Sequence, residues 1–345
     1  MSKGIAFVVG ATGMVGRAAV PALVADGWEV RAASRGGDRV AGWPGEVRTV
    51  TVDRNEEGAL EAALGEGCDV LVDVVAYGKG HAQQLAGLAD RVGSAVVISS
   101  LSVYEDSSGR SLATQGEPDG APRFPLPMPE TQATVAADEA AYAGRKVALE
   151  QELLASALPA TLLRAGAIHG PYCKAPRELF FVKRALDGRP VRVLAYGGRS
   201  RFQPVHSSNV AELIRLAASK PGARVLNAAD PQAPTVAEIS AAVDGVLGVR
   251  SELVTFEGKP VDGTVGATPW SGENPVVLDM AAAERELGYR PVTSYADSLP
   301  VTVALLAERL RGKDWREAFP DMARTYDPHL DLFDYAAEDT WLAAR

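Results

Sequence analysis

The sequence predicts an α/β fold: a doubly wound parallel sheet with a smaller lobe interleaved toward the C-terminus. Three observations carry that expectation. Short apolar runs rich in β-branched residues alternate with helical patterns through the first half of the chain. The runs are continuously apolar, as strands covered on both faces must be. A glycine-rich turn stands between the first run and the first helical pattern.

"IAFVVG" reads as a strand and "MVGRAAVPALVADG" as a helix. "EVRAASR" and "VRTVTVD" are the next strands, and "EEGALEAAL" is a helix. "CDVLVDVVA" is a strand, "HAQQLAGLADRVG" a helix and "AVVISS" a strand. Residues 105–136 break this rhythm with Pro, Gly and Ser, and a loop that long is expected to be functional or disordered. The helix "EAAYAGRKVALEQELL" follows, and "ATLLRAG" is a sixth strand. Beyond about residue 170, helical stretches at 177–187, 208–219, 235–247 and 279–287 alternate with short strands such as "RVLNAA" and "SELVTF". The expected organisation is a sheet domain over 1–170, with the 105–136 loop as an insertion, and a substrate lobe over 171–314, partly interleaved with it. An extension over 315–345 carries Trp315, Phe319, Tyr326, Phe333, Tyr335 and Trp341, which should pack on the body or on another subunit.

The chain has 345 residues, is 47% hydrophobic and 23% charged, and carries a net charge of −9. That balance argues against a nucleic-acid partner bound through a broad basic surface. No stretch reaches membrane-spanning length and the N-terminus shows no secretory pattern, so a cytoplasmic protein without a membrane partner is expected. Cys68 and Cys173 are far apart and read as buried thiols in a reducing compartment. His81, His169, His206 and His329 are scattered without metal-ligand spacing, so no metal is expected.

"VVGATGMVGRAAV" places Gly10, Gly13 and Gly16 between a strand and a helix. Gly10 permits the tight turn, Gly13 lets the backbone approach a pyrophosphate, and Gly16 lets helix and strand pack closely. The helix N-terminus then offers free N–H groups and a positive dipole end to the phosphates. This is a Rossmann-type dinucleotide turn. The second strand ends in Ser34 and Arg35, where a carboxylate would bind the ribose of NAD. A guanidinium suits a 2′-phosphate, so NADP(H) is favoured over NAD(H); the plainer reading of Arg35 is a solvated surface arginine. Asp53, after the third strand, is either an adenine contact or a loop cap.

Tyr142 and Lys146 are four positions apart, which on a helix puts both on one face. Lowering a phenol from its ordinary pKa of about 10 to about 7 takes roughly 4 kcal/mol. One ammonium about 4 Å away supplies on the order of 4 kcal/mol at an effective dielectric of about 20. Tyr142 beside Lys146 is therefore suited to proton transfer near neutrality. Ser99, Ser100 and Ser102 lie at the end of "AVVISSLSVYED", where the carboxyl ends of parallel strands form a ligand crevice. Strand-end serines also cap loops.

Together these residues resemble the short-chain dehydrogenase/reductase superfamily in its extended, epimerase-like branch, the NAD(P)-dependent epimerase/dehydratase family. The resemblance rests on "GATGMVG", "SSLSVY", "YAGRK", "LRAGAIHGP" and "RFQPVHSSNVA", and covers roughly residues 4 to 300. It implies Ser100 as the catalytic serine, Tyr142 as the acid/base, and Lys146 as the residue that binds the nicotinamide ribose and lowers the tyrosine pKa. It also implies cofactor contacts from Thr12, Met14 and Val15 in the turn, from Ala76 and Ser99 at strand ends, and from Ala165 and Ile168 along "LRAGAIHGP". The implied substrate contacts are Ser102, Ala167 and Arg201. Trp270 in "TPWSGENP" and the 105–136 loop are expected to cover the substrate, although Trp270 reads equally as core.

Departures from the family pattern narrow the chemistry. Leu101 and Ser102 stand where sugar-nucleotide dehydratases carry an acidic pair, Ala167 replaces a diphosphate-contacting Asn, and Ser208 and Asn209 replace acids. The implied function is an NADP-dependent oxidoreductase acting on a carbonyl or hydroxyl carbon of a small molecule. The alternatives are an epimerase with captive NAD(P) acting on a sugar or sugar nucleotide, and a non-catalytic nucleotide-sensing or RNA-associated protein on the same fold. Family members are often dimers, so a homodimer is the implied assembly.

Overall fold

The computed structural model describes residues 2–328 and 330–345 and divides the chain into two compact units. His329 lies outside the described residues. The first unit comprises Met1–Gly166, Ser207–Ala229 and Leu278–Val292. Its strands are β1 (Ile5–Val9), β2 (Glu29–Ser34), β3 (Arg48–Thr51), β4 (Cys68–Asp73), β5 (Val92–Ser100), β6 (Ala160–Ala165) and, far later in the chain, β10 (Arg224–Ala228). They form one parallel sheet in the order β10-β6-β5-β4-β1-β2-β3. Its helices are α1 (Met14–Ala25), α2 (Ala59–Leu64), α3 (Lys79–Ala86), α4 (Tyr142–Ala155), α6 (Ser207–Ser219) and α8 (Ala281–Leu287). The chain winds outward one way through β1, β2 and β3 and the other way through β4, β5 and β6. The reversal falls between β1 and β4, and a ligand crevice opens outside the carboxyl ends of the strands at such a point.

Apolar strands explain the double cover. Phe7, Leu71, Val97 and Leu162 share one buried cluster with Leu60, Leu64, Leu85, Leu149 and Leu153 of α2, α3 and α4. On an exposed sheet face these side chains would each forfeit about 1.5–3 kcal/mol of burial. The sequence places "RVLNAA" in the second lobe, but β10 is the seventh strand of the main sheet, pairing parallel with β6 from Arg224↔Thr161 to Ala228↔Ala165. A single apolar run states that it is a strand and not which strand it joins.

The 105–136 segment is ordered by hydrogen bonds to the same unit. The Asp106 carboxylate accepts from the backbone N–H groups of Ser108, Arg110 and Arg123 and from Arg110 Nε, all at 2.8–3.0 Å. These donors pull it down to about 2, against the cost of its burial. Asn227 of β10 is fully buried and closes the other end. It accepts from the Tyr104 hydroxyl at 2.6 Å, donates its backbone N–H to Glu130 at 2.8 Å, and donates its side-chain amide to the Met128 carbonyl at 3.0 Å.

The second unit comprises Ala167–His206, Asp230–Val277 and Thr293–Arg345. Two small parallel pairs, β7 (Ala167–His169) with β9 (Pro204–His206) and β8 (Val191–Leu194) with β11 (Glu252–Thr255), accompany α5 (Leu179–Leu186), α7 (Val236–Leu247) and α9 (Tyr295–Leu310). The C-terminal extension forms α10 (Trp315–Ala318), α11 (Pro320–Tyr326) and α12 (Tyr335–Ala343). It packs on this unit. Trp315, Phe319 and Leu332 are buried in its core, and Trp341 lies 5.0 Å from the Phe256 ring. Arg184 of α5 pairs with Glu338 of α12 at 2.7 Å, both side chains almost fully enclosed.

Removing one partner of a buried pair leaves an uncompensated charge. Glu338→Ala should therefore destabilise the protein by about 3–5 kcal/mol in urea unfolding. The double change Arg184→Leu/Glu338→Leu should recover much of that loss.

Candidate active site

The glycine turn begins where β1 ends. Gly10 adopts a left-handed φ of +84°, and a Cβ there would meet Val75 Cγ1 at 2.6 Å. At Gly16 a Cβ would stand 2.5 Å from the Ala11 backbone, so only glycine lets α1 lie this close to the turn. Gly13 differs. Its φ is −76°, it is exposed, and a Cβ would meet only the Gly10 carbonyl, at 3.3 Å. That contact is tight without being a clash, so the fold demands glycine less here than at Gly10 or Gly16. Gly13 caps α1 without a side-chain hydrogen bond, which leaves the backbone N–H groups of the first turn without a side-chain acceptor. That cradle fits a dinucleotide pyrophosphate. Of its neighbours, Thr12 and Met14 are half-buried and Val15 is buried, while the Thr12 carbonyl is occupied by Arg17 Nε at 2.8 Å.

At the end of β2, Ser34 Oγ accepts from the Gly37 N–H at 3.1 Å, and Arg35 is exposed with no ion pair among the described residues. The turn also holds a carboxylate that the strand end by itself does not reveal: a Cβ on Gly36 would meet Asp38 Oδ2 at 2.5 Å. Asp53 Oδ1 accepts from the Asn55 backbone and side-chain nitrogens at 3.0 and 2.9 Å, so it serves as a loop cap.

Tyr142, Lys146 and Ser100 converge at the carboxyl ends of β4 and β5. Lys146 is buried and its Nζ donates to the Ala76 carbonyl at 2.6 Å and the Ile98 carbonyl at 2.9 Å. Its Nζ lies 5.9 Å from the Tyr142 ring centroid. Ser100, 9% exposed, lies beside the Tyr142 phenol, and its Oγ accepts the Ser102 N–H at 3.1 Å. The expected lowering of Tyr142 by Lys146 is not what the geometry delivers. Partial burial pushes the phenol upward although Tyr142 remains 43% exposed, Ser100 opposes that rise, and the neighbouring Tyr77 phenol adds to it. Lys146 is drawn onto two backbone carbonyls instead, and burial pulls it down to about 8.

Ser99 sits one residue from this group but faces elsewhere. Its hydroxyl donates to Glu150 Oε1 at 2.5 Å, inside a buried network where Arg164 pairs with Glu150 at 2.6 Å. The Ala76 carbonyl is taken by Lys146, Ala165 is buried at the end of β6, and Ser102 is half-buried. In the second unit Ile168 is half-buried on β7 and Ala167 is buried, with its N–H on the Gln203 carbonyl at 2.8 Å. Arg201 is exposed and its guanidinium donates to the Ala233 carbonyl. Trp270 is 1% exposed, in the core against Tyr295 and Arg177, so its place is packing and not a pocket wall. The sequence scatters the histidines, but folding sets His169 5.2 Å from His206 and hydrogen-bonds it to Asp230 at 2.8 Å. Among the described residues no three His, Cys, Asp or Glu side chains gather where they would hold a metal ion. No helix among them is long and apolar enough to cross a membrane.

Sequence reasoning missed Tyr77. It stands 43% exposed after β4, its ring centroid 5.6 Å from that of Tyr142. The one signal was a large aromatic in a strand-to-helix turn, "VVAYG".

The Lys146 shift yields a stability test. Its folded pKa of about 8 lies below the ordinary 10.5, so above pH 8 the folded state sheds the proton first. Stability relative to Lys146→Met should thus rise between pH 8 and 10.5, by about 3 kcal/mol, and stay level below pH 7. Urea melts of both proteins across that range measure it.

No curated protein matches this chain. Solved structures share its fold at low identity. A Thermus thermophilus UDP-glucose 4-epimerase in complex with NAD is 21% identical over 90% of this chain and 100% of that one, with a TM-score of 0.63. A UDP-N-acetylglucosamine 4-epimerase from Bacillus cereus is 16% identical over 88% and 99%, with a TM-score of 0.65. MoeE5, solved with UDP-glucuronic acid and NAD, is 21% identical over 88% and 99%, with a TM-score of 0.64. The family model for the NAD-dependent epimerase/dehydratase family matches residues 6–229, and the chain belongs to that family.

Proposed function

We propose that the protein is an NADP-dependent oxidoreductase that moves a hydride to or from a carbonyl/hydroxyl carbon of a small molecule. The observation that carries this reading is the convergence of Ser100, Tyr142 and Lys146 at the strand ends of the sheet that also holds the glycine turn. Gly13 and the open start of α1 would hold the pyrophosphate, and Arg35 the 2′-phosphate. Lys146 would reach the nicotinamide ribose. The nicotinamide supplies or takes the hydride when bound.

The protein's own residues handle the proton and the geometry. Ser100 holds the substrate oxygen by its hydroxyl. Tyr142 gives its phenolic proton to that oxygen in reduction and takes it back in oxidation. Its raised pKa keeps the phenol protonated at neutral pH, the state that reduction requires. Lys146 holds the start of α4 against the ends of β4 and β5, so that Tyr142 and Ser100 keep their register.

A second reading, an epimerase with captive NAD acting on a sugar nucleotide, is favoured by one observation. The Asp38 carboxylate lies against Gly36 in the turn after β2, where an acid suits an unphosphorylated ribose. Mass spectrometry of nucleotide released from undialysed protein separates the two. NADP, or an empty site that titrates with NADPH far better than NADH, supports the reductase, and retained NAD overturns it.

Tyr142→Phe should lower turnover by about 10²–10⁴-fold with dinucleotide affinity preserved, read by initial rates and fluorescence titration. Gly13→Val should abolish NADPH binding and lower the melting temperature only modestly. Gly16→Val should prevent folding, since its Cβ would overlap the Ala11 backbone.

A further inference from the structure

The turn that follows β4 is held from three neighbouring elements. The Asp73 carboxylate accepts the Val75 N–H at 2.9 Å and pairs with Arg54 of the loop after β3. Arg54 also donates to Gln84 Oε1 of α3 at 2.8 Å, and Gln84 Nε2 donates back to the Arg54 carbonyl at 3.0 Å. The Ala76 carbonyl holds Lys146 Nζ of α4. The Tyr77 N–H donates at 2.9 Å to Nδ1 of His81, in the first turn of α3.

The last bond depends on the protonation state of an imidazole. A backbone N–H can only donate, so Nδ1 carries the lone pair and the ring proton sits on Nε2. A protonated ring has donors at both nitrogens, and the Tyr77 N–H then loses its acceptor. The groups facing the ring keep it neutral. Burial disfavours its charge first and the Arg54 guanidinium second; Asp73 opposes them, and the Lys146 ammonium adds to them. Lys79 on the same helix pairs with Glu152 at 3.7 Å. Glu139 Oε2 and Arg145 Cβ border Gly78, each 3.6 Å from where a Cβ would stand. Protonation is thus held below the ordinary 6.5, so the bond is made at pH 7 and lost in acid.

The segment so fixed joins several parts of the candidate site. The Val74 N–H donates to the Val9 carbonyl at 3.2 Å, and Val75 Cγ1 is the atom that a Cβ on Gly10 would meet at 2.6 Å. At the other end the Tyr77 ring lies 5.6 Å from that of Tyr142. The turn therefore adjoins the glycine turn, Lys146 and Tyr142.

We propose that His81 is a positioning residue for the dinucleotide: its neutral ring locks the turn between β4 and α3 through the Tyr77 N–H, and its protonation releases that turn and weakens dinucleotide binding. This rests on the proposed cofactor site and makes that site sensitive to acid. A site whose competent conformation is only partly populated loses apparent affinity by that fraction.

The test is isothermal titration of the full chain with NADP+ and with NAD+ from pH 8 to pH 5.5. NMR of the His81 ring, identified by its loss in His81→Asn, gives the protonated fraction at each pH. The 2′-phosphate of NADP+ also titrates at about 6, so affinities are compared as ratios of wild type to variant. His81→Asn offers an amide oxygen in place of Nδ1 and does not titrate. It should match wild type at pH 8 and exceed it in acid in step with the protonated fraction, by about fivefold at full protonation. His81→Leu has no acceptor at any pH and should bind about fivefold more weakly than His81→Asn throughout. In the cofactor-free protein the Tyr77 amide signal should shift with the midpoint of the His81 ring.

Each of the following overturns the proposal: His81→Asn loses affinity in acid in step with wild type, both variants are weakened alike at every pH, the Tyr77 amide ignores the His81 titration, or the ring stays neutral across the range. Should His81→Leu fail to melt cooperatively, wild type against His81→Asn carries the test. Failure of both dinucleotides to bind wild type at pH 8 would instead overturn the proposed cofactor site, and the Tyr77 amide would still decide whether His81 holds the turn.

Discussion

Two hydrogen bonds from one buried ammonium organise the centre of this protein. Lys146 Nζ reaches the carbonyls of Ala76 and Ile98, the first just past the end of β4 and the second near the end of β5. One side chain thus ties a helix to two neighbouring strands, β4 and β5, next to the point where the sheet reverses its winding. A buried ammonium is costly unless its donors are satisfied, and here carbonyl dipoles do this where a carboxylate would otherwise be needed. The consequence is geometric as much as electrostatic. Tyr142, one turn earlier on α4, is set beside Ser100, and Tyr77 is set beside Tyr142.

The same bonds explain why proximity of Tyr and Lys does not by itself yield a phenolate. The ammonium faces the strand ends, 5.9 Å from the ring centroid, and burial acts on both groups in favour of their neutral forms. The ammonium thus donates to two backbone carbonyls and not to the phenol. Buried pairs around it engage two of the neighbouring acids, Asp73 with Arg54 and Glu150 with Arg164. Those pairs also determine which strand-end serine is accessible. Ser99 is drawn into the Glu150 network and Ser100 is left for Tyr142.

Local pattern made most of the first unit legible. Continuous apolar runs identified the strands up to β6, helical periodicity identified the helices between them, and the Gly10/Gly16 pair is required by backbone conformation and contact distance that follow from the turn itself. The Tyr142/Lys146 spacing likewise guarantees a shared helix face. Three features were not legible. The destination of "RVLNAA" depends on a chain that leaves the sheet after β6 and returns. The burial of Trp270 depends on Arg177 and Tyr295, which are distant in sequence. The carboxylate of Asp38 becomes relevant to the β2 turn only because the backbone folds it back against Gly36.

By itself, then, the sequence determined the elements, the glycine turn and the shared helix face of Tyr142 and Lys146, because each depends on residues within a few positions of one another. The tertiary structure decided which buried pairs surround those side chains, that Lys146 turns onto two strand-end carbonyls, and that Tyr77 stands beside Tyr142. Those properties arise from desolvation and from partners contributed by separate strands and helices, and no spacing along the chain encodes them.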